Sequence, residues 1–305
     1  MDKKPLIAII GLSGESLFFH VNHFHKPGET IISDELFVEP GGKGFNQAVA
    51  LAKLSANVAF LSAVGNDDYG NKCEQTLKDF NIKPYLVIKE NESTAKACII
   101  TDINGDTKVT VFPGAQLALD DEMLFAKMIM ESDALLLQME VSDEVLIKAV
   151  EIAQKSPKLI VLNPAPYRSI PEYVFQHTTI LTPNENEARL MVGLNEHDVW
   201  ENVVSLLKKL QKTIIVTMGN KGAYIIDHNE EELIPAPIVK CIDSTGAGDA
   251  FNAALVDQLT KQIPLKEAIK YANVVAAMSV TKSHVLQSYP TMNEVKMFLK
   301  DYKNE

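Results

Sequence analysis

The chain has 305 residues, of which 46% are hydrophobic and 23% are charged, the composition of a globular protein with a sizeable core. Its formal net charge of −11 excludes a broad nucleic-acid-binding surface, and no apolar run reaches the roughly 20 residues that span a bilayer. Three scattered cysteines are too few for a metal cluster and are typical of a reducing compartment, so we expect a cytoplasmic protein that binds neither nucleic acid nor membrane.

Short apolar runs separated by helical patterns recur along the chain. The runs lie at 5–11, 58–65, 134–140, 159–166, 178–185, 213–219 and 223–227. Runs of this length are typical of strands that are buried on both faces. Amphipathic patterns such as 46–54 and 141–155 predict helices between them. The alternation predicts an α/β fold with a central, mostly parallel sheet and helices on both faces.

Two segments interrupt this alternation and predict short antiparallel strands. Residues 12–40 contain two apolar stretches around a turn, and residues 94–113 contain Asn104-Gly105, a strong hairpin signal. We expect a single domain, 1–305, in which these two insertions form a small β-sheet lid.

Polar residues follow the ends of several predicted strands. They are Gln138, Glu140, Asn163, Asn184, Glu187, Thr217 and Gly219. In open α/β sheets the ligand crevice lies at the carboxyl ends of the strands. These side chains are therefore expected to share one cleft.

The stretch DSTGAGDAFN at 243–252 predicts a glycine turn that opens a helix, because apolar residues follow it at helical spacing. Free N–H groups at a helix N-terminus form an anion site, and a carboxylate beside it can accept a proton from an attacking hydroxyl. Two interpretations of Asp249 stay open from these residues: a helix cap, or the base of a phosphoryl transfer. The absence of a P-loop and of a Rossmann fingerprint weighs against P-loop NTPases and NAD-dependent dehydrogenases.

Separated motifs resemble one family. GGKGFNQAVALAKL at 41–54 and DSTGAGDAFNAAL at 243–255 resemble the two signatures of the ribokinase-like sugar kinases, or PfkB family. NPAP at 163–166 and TPNENEA at 182–188 fall between them in the family's order. The resemblance covers nearly the whole chain. It implies a ribokinase-like α/β fold and ATP-dependent transfer of a phosphoryl group to a small sugar.

The resemblance implies catalytic and sugar-binding residues. Asp249 matches the base that deprotonates the sugar hydroxyl, and the turn before it matches the anion hole for the γ-phosphoryl group. The anion-hole residues are Gly246, Ala247 and Gly248. The positions that match sugar contacts are Gly41, Gly42, Lys43, Asn46 and Glu140. From the residues alone, a turn with a helix cap fits the first four as well, and a solvated helix start fits Glu140.

The resemblance also implies nucleotide and magnesium sites. Thr217 and Gly219 match a stretch that contacts nucleotide phosphates, and Asn273 lies where the family approaches adenine. Asn184 and Glu187 match the Asn-x-x-Glu motif that organises Mg²⁺, largely through water. By themselves, the last two residues also fit a loop with a helix cap, and Asn273 also fits a partly buried helical residue.

A monovalent cation, K⁺, is the third implied ion. Asp243 and the carbonyl of Thr245 match one side of its site, and the loop around 280–288, with Ser288, matches the other. The segment KSHVLQS at 282–288 lacks the glycine that the family usually has there.

The implied sugar pocket departs from the family pattern. The family usually has an Asp after the first strand that grips vicinal hydroxyls, and here Ser16 stands at that position. Gln116 stands where Asn is common. A neutral hydroxyl binds a diol less strongly than a carboxylate does. The acceptor therefore stays open between a ribose-like sugar, a nucleoside, a ketohexose and a sugar phosphate, and an inactive sugar- or nucleotide-sensing protein is a further alternative.

The predicted lid carries two other features. Its apolar residues in 12–40 predict a homodimer through the lid strands. His20, His23 and His25 could serve as metal ligands, but no acid or cysteine completes the set. We favour exposed or substrate-facing positions for these histidines.

Overall fold

A computed structural model describes residues 4–227 and 231–302; the remainder of the expected domain 1–305 lies outside these ranges. The strands are β1 (Leu6–Ile10), β2 (Gly14–Val21), β3 (Glu35–Gly41), β4 (Asn57–Gly65), β5 (Lys83–Lys89), β6 (Ala95–Asp102), β7 (Thr107–Phe112), β8 (Ala134–Gln138), β9 (Leu159–Asn163), β10 (Ile180–Leu181), β11 (Thr213–Thr217), β12 (Ala223–Ile226) and β13 (Glu231–Ile234). The α-helices are α1 (Lys43–Lys53), α2 (Asp68–Asp79), α3 (Glu122–Glu131), α4 (Asp143–Ala153), α5 (Glu172–His177), α6 (Glu185–Met191), α7 (Trp200–Lys209), α8 (Ala247–Thr260), α9 (Leu265–Ser279) and α10 (Met292–Tyr302).

The large sheet has nine strands within the described ranges, in the order β13-β12-β11-β10-β9-β8-β1-β4-β5. From β11 to β5 every neighbouring pair is parallel, and β12 and β13 are antiparallel additions at one edge. This confirms the predicted central, mostly parallel sheet. The strand expected at 178–185 is only two residues long, because Pro183 cannot donate to the ladder and Asn184 already caps the next helix.

Two helix layers cover this sheet, and alternate residues of one strand face opposite layers. Ile7 and Ile9 of β1 belong to the hydrophobic core that includes residues of α1, α2, α8, α9 and α10, whereas Ala8 and Ile10 belong to the core that includes residues of α3 to α7. Burial on both faces explains why the central strands are continuous apolar runs in the sequence. In the described part of the chain, none of the helices is long and apolar enough to cross a membrane.

The small sheet comprises four strands of the described chain, in the order β3-β2-β6-β7. The pairs β2–β3 and β6–β7 are antiparallel, and the two pairs meet through a parallel β2–β6 ladder. Ser16 and Phe18 of β2 are buried on the face toward the body of the protein, whereas Leu17 and Phe19 are only half-buried on the other face. The predicted small sheet is therefore present beside the carboxyl end of β1.

Candidate active site

The stretch 243–252 forms the predicted glycine turn followed by α8. Gly246 has a φ of 78°, and a Cβ at this residue would lie 2.7 Å both from Tyr289 Oη and from Val285 Cγ1. Backbone conformation and the close neighbours thus both require glycine here. Residues 246–248, called the glycine turn below, line a cavity of about 770 Å³. The first N–H groups of a helix have no partner within it, so a helix N-terminus can bind an anion. Here the Ala247 N–H donates to the carbonyl oxygen of Ser244 at 3.2 Å.

Asp249 is the third residue of α8 and lies on the wall of this cavity, 7% exposed. Its Oδ1 accepts a hydrogen bond from Gln47 Nε2 at 3.0 Å, and its Oδ2 accepts one from Asn46 Nδ2 at 3.1 Å. Burial raises the pKa of Asp249, and the charge of Lys43 and the two amide donors oppose that shift. Its carboxylate is therefore oriented by α1, and the N-cap of α8 is Gly246.

Lys43, the first residue of α1, lies among three acids. Burial would lower the pKa of Lys43, but the charges of Asp249, Glu140 and Glu187 hold it above its ordinary value. Glu140 Oε2 accepts the Lys43 backbone N–H at 2.7 Å. Burial raises the pKa of Glu140 to about 7, against the opposing charge of Lys43. A permanent cation in this place can offset negative charge on a phosphoryl group in the cleft.

The sugar-facing candidates at the start of α1 lie together. A Cβ at Gly41 would lie 2.2 Å from Ser16 Oγ, and one at Gly42, whose φ is 109°, would lie 2.3 Å from the carbonyl oxygen of Leu12. Both glycines therefore permit contacts that a side chain would block. Asn46 Oδ1 is buried without a hydrogen-bond partner among the described residues, so this oxygen remains available to a ligand.

Other candidates from the sequence contact residues close to them in the chain. Gln116 donates from Nε2 to the carbonyl oxygens of Pro113 and Ala115 in its own loop. The three histidines of 20–25 are exposed, and His23 Nε2 lies 3.0 Å from a carboxylate oxygen of Glu29. In residues 4–227 and 231–302, no group of three or more His, Cys, Asp or Glu side chains is placed to hold a metal ion.

Asn184 and Glu187 form a capping box at the start of α6. Asn184 Oδ1 accepts the Glu187 N–H at 2.8 Å, and Glu187 Oε2 accepts the Asn184 N–H at 2.8 Å. Both residues also line the cavity. Burial raises the pKa of Glu187, while the Asn184 N–H and the charge of Lys43 oppose the shift. The cap that the sequence suggested as an alternative is thus real, and it leaves these oxygen-bearing side chains on the cavity wall.

The other nucleotide candidates also line the cavity. Thr217 ends β11, and Gly219 follows with a φ of 57°. Asn273 is 3% exposed and donates from Nδ2 to the carbonyl oxygen of Ile234 at 2.9 Å, which ties α9 to β13. These three residues line the cavity together with the apolar stretch 236–239. Polar and apolar residues therefore line one cavity.

The candidate cation ligands lie on two loops. Asp243 Oδ1 accepts the backbone N–H of Thr245 at 2.9 Å. Ser288 is 1% exposed and donates its hydroxyl hydrogen to the carbonyl oxygen of Val285 at 2.8 Å. In the segment 282–288, which has no glycine, His284 adopts a φ of 68°, the left-handed conformation that glycine favours.

Gln47 is a site residue that the sequence motifs do not single out. It is fully buried, donates to Asp249, and accepts a hydrogen bond on Oε1 from Gln138 Nε2 at 2.6 Å. Its amide nitrogen also lies 3.4 Å from Asn163 Oδ1. The sequence feature that could have revealed Gln47 is its place within the apolar helical pattern of 46–54. A polar side chain at a buried position needs a buried hydrogen-bond partner.

A phosphotransferase with an alcohol group as acceptor is the class of enzyme to which this fold and cleft correspond. The chain belongs to the pfkB family of carbohydrate kinases: the family model described as "pfkB family carbohydrate kinase" matches residues 6–292. The family predicted from the two signatures is therefore confirmed.

Individual relatives agree with the family. The chain is 33% identical over 297 residues to a ribokinase of Staphylococcus aureus, covering 95% of this chain and 98% of that protein. It is 32% identical over 301 residues to a deoxyribokinase of Salmonella typhimurium, covering 96% and 98%. The crystal structure of ribokinase from Thermotoga maritima superposes with a TM-score of 0.86 at 34% identity, covering 97% and 99%. These likenesses confirm the ribokinase-like α/β fold and the assignment as a sugar kinase.

Proposed function

We propose that this chain is an ATP-dependent kinase that transfers the γ-phosphoryl group of ATP to a primary hydroxyl of ribose or a closely related small sugar. One observation carries the proposal: the buried carboxyl group of Asp249 lies beside the glycine turn, on the same cavity wall as Lys43. A carboxylate at this point accepts the proton of the acceptor hydroxyl. The positive N-terminus of α8 at the glycine turn stabilises the charge on the transferred group.

The ionised form of Asp249 is the form that acts as base. Burial works against ionisation, but the amides of Asn46 and Gln47 both present hydrogens to the carboxylate and so favour its charge. Lys43 adds a positive charge nearby. Phosphoryl transfer depends mainly on positioning and on charge stabilisation, and these three side chains of α1 supply both.

Ribose is the first acceptor proposed, because the similar proteins include ribokinases. The deoxyribokinase is equally similar, and Ser16 offers a neutral hydroxyl where a carboxylate would bind a vicinal diol more strongly. We therefore place 2-deoxyribose beside ribose. Nucleosides, ketohexoses and sugar phosphates are the alternatives within the same family.

Mg²⁺ bound together with the phosphates is part of the proposal. Asn184 and Glu187 offer oxygen atoms on the cavity wall, and Mg²⁺ prefers oxygen ligands while keeping several waters and phosphate oxygens. The donor set therefore fits this ion. When bound, Mg²⁺ neutralises charge on the phosphates.

K⁺ is the second ion proposed. Asp243, the carbonyl of Thr245 and the buried hydroxyl of Ser288 are all oxygen donors, which suits an alkali cation. No catalytic step is assigned to this ion. Turnover in K⁺ and in tetramethylammonium buffers of equal ionic strength tests the proposal, and equal rates would remove K⁺ from it.

The small sheet is proposed as the lid of a single-domain enzyme, built from the insertions 12–40 and 94–113. Ser16 approaches Gly41 from the inner face of this sheet, next to the proposed sugar site. Closure over a bound sugar excludes water from the cleft and limits hydrolysis of ATP.

A homodimer through the outer face of the small sheet is proposed as well. Cross-strand partners share a face, and the apolar partners on the outer face are Leu17, Phe19, Leu36, Val38, Cys98 and Ile100. Leu36 is 55% exposed in the single chain. An open apolar sheet face of this kind favours association with a second copy.

An ADP-release assay over a panel of acceptors tests the proposed function. We expect turnover above the acceptor-free rate with ribose or 2-deoxyribose, and weaker turnover with nucleosides, ketohexoses and sugar phosphates. Turnover with any acceptor rejects the alternative of an inactive sensing protein. Binding of sugar or ATP without turnover on the whole panel would overturn the proposal in favour of that alternative.

A further inference from the structure

A buried acid of the small sheet binds the backbone of a distant loop. Glu39, in β3, is 6% exposed, and its Oε1 accepts the N–H of Val285 at 2.8 Å. The N–H of Leu286 lies 3.3 Å from Oε2 and 3.4 Å from Oε1. Burial raises the pKa of Glu39 to about 6, against these two N–H groups and the charge of Lys53. Residues 284–289 are called the clamped segment below.

Lys53, the last residue of α1, binds the carbonyl groups of the same segment. Its Nζ donates to the carbonyl oxygens of Leu286 at 2.6 Å, Tyr289 at 2.9 Å and Gln287 at 3.3 Å. The N–H groups and the C=O groups of one short segment are thus held by opposite charges from two elements. Charge-assisted hydrogen bonds are the stronger kind, so the position of this segment is closely fixed.

The clamped segment packs directly against the glycine turn. A Cβ at Gly246 would meet Val285 Cγ1 and Tyr289 Oη at 2.7 Å, so both side chains lie directly against the Cα of this glycine. Tyr289 is 1% exposed, and its Oη has no hydrogen-bond partner among the described residues. Because packed interiors have little free space, a displacement of the clamped segment would be transmitted to the turn.

A second contact joins β3 to the same segment. The rings of Phe37 and His284 stack with centroids 3.6 Å apart and an interplanar angle of 21°. His284 has a φ of 68°, which is unfavourable for a side chain of this size and needs support from its surroundings. Two residues of one lid strand, Phe37 and Glu39, therefore hold the segment that packs on the glycine turn.

We propose that Glu39 and Lys53 are positioning residues for phosphoryl transfer, which fix the glycine turn through the clamped segment. The inference rests on the proposed function, because it assigns the turn to the γ-phosphoryl group. It also links the lid strand β3 to the turn. A simple structural anchor would affect only stability, whereas a positioning pair affects the chemical step in protein that is still folded.

Steady-state kinetics separate these two roles. In folded Glu39→Gln and Lys53→Met we expect kcat to fall about 10-fold or more, because small misplacements cost large factors in rate, while the KM values stay within about two-fold. Lys53→Arg keeps the charge and the donors and should recover most of the loss. Glu35→Gln, on the exposed start of the same strand, is the matched control and should keep the wild-type rate. A wild-type kcat in both folded variants, with only a lower unfolding temperature, would overturn the inference.

Hydrogen–deuterium exchange tests the link without requiring turnover. Peptides that cover 242–252 should exchange faster in Glu39→Gln and in Lys53→Met than in the wild type or in Glu35→Gln, at a temperature where all are folded. Unchanged exchange in both variants contradicts the inference, even if the enzyme is active. If Lys53→Met fails to fold, Glu39→Gln compared with Glu35→Gln decides the question. If Glu39→Gln fails to fold, Lys53→Met compared with Lys53→Arg decides it. An inactive wild type with faster exchange in the variants would instead overturn the proposed function and keep the structural link.

Discussion

Gln47 holds the proposed catalytic base Asp249 through a hydrogen bond of 3.0 Å between Nε2 and Oδ1. The other end of the Gln47 amide accepts a hydrogen bond from Gln138, which determines that the NH₂ group faces the acid. A chain of two buried glutamines thus orients the carboxylate from the carboxyl end of β8. This arrangement favours the ionised acid although it is buried.

Replacing Gln47 by Met tests this role. The change keeps the approximate volume but removes a donor to a charged group, a bond worth about 1.5–3 kcal/mol. The pKa of Asp249 should rise further, so kcat should fall roughly 10-fold or more at pH 7 and recover as the pH rises. Rate profiles against pH measure the shift. Gln75→Met, on the exposed surface of α2, is the control, and superposable profiles of wild type and Gln47→Met would refute the role.

Asp249→Asn removes the proposed base and keeps the shape of the side chain. We expect a folded protein that binds ATP but loses about 10²–10⁴-fold in kcat, the usual contribution of a general base. ADP release and ATP titration measure the two effects. Asp257→Asn is the matched control, because Asp257 is also buried in α8 and pairs with Lys261 at 2.6 Å, away from the cavity. Turnover retained in Asp249→Asn would eliminate it as base.

Glu140→Gln should change how stability depends on pH. The pKa of Glu140 is raised from 4.5 to about 7 in the folded protein, so between these values the unfolded chain has lost a proton that the folded one keeps. This contribution to stability is fully present below about pH 4.5 and is lost as the pH rises through 7. The unfolding temperature of the variant minus that of the wild type should therefore increase by about 2–5 °C from pH 5 to pH 8. If the two unfolding temperatures differ by the same amount at pH 5 and at pH 8, the pKa of Glu140 is not raised as stated.

Glu187→Gln separates the helix cap from the proposed Mg²⁺ role. The amide oxygen can still accept the N–H of Asn184, so the capping box and the unfolding temperature should be nearly preserved. Loss of the charge should raise the Mg²⁺ concentration for half-maximal turnover by about 10-fold, as expected for an outer partner of a metal. Asn184→Ala, in contrast, should cost about 1 kcal/mol of stability. An unchanged Mg²⁺ requirement in Glu187→Gln would leave Glu187 as a cap alone.

The proposed homodimer should depend on the outer face of the small sheet. Leu36→Asp places a charge in the proposed interface, so micromolar protein should change from dimer to monomer in light scattering. Ile88→Asp is the matched control, because Ile88 is 54% exposed on β5 of the large sheet and Leu36 is 55% exposed. A monomeric wild type, or a dimeric Leu36→Asp variant, would refute the interface.

Apolar runs predicted the central strands well because these strands are buried on both faces and tolerate few polar residues. The same criterion missed β5, an edge strand of the parallel region whose residues are mostly half-buried or exposed. It overestimated β10, where Pro183 ends the ladder after two residues. A partly exposed strand has fewer apolar residues, so its apolar run is harder to recognise. The length of a short strand depends on the strands it pairs with more than on its own residues.

The sequence by itself determined the fold class, the family and the glycine turn before Asp249, because the local spacing of apolar residues and glycines and the separated motifs indicate them. Only the tertiary structure decided which side chains orient the acid, that Asn184 and Glu187 cap a helix while lining the cavity, and that Gln116 bonds within its own loop. The physical reason is distance along the chain: Gln47 and Asp249 are 202 residues apart. Hydrogen bonds between such residues depend on how the layers pack, and no local pattern of residues records that packing.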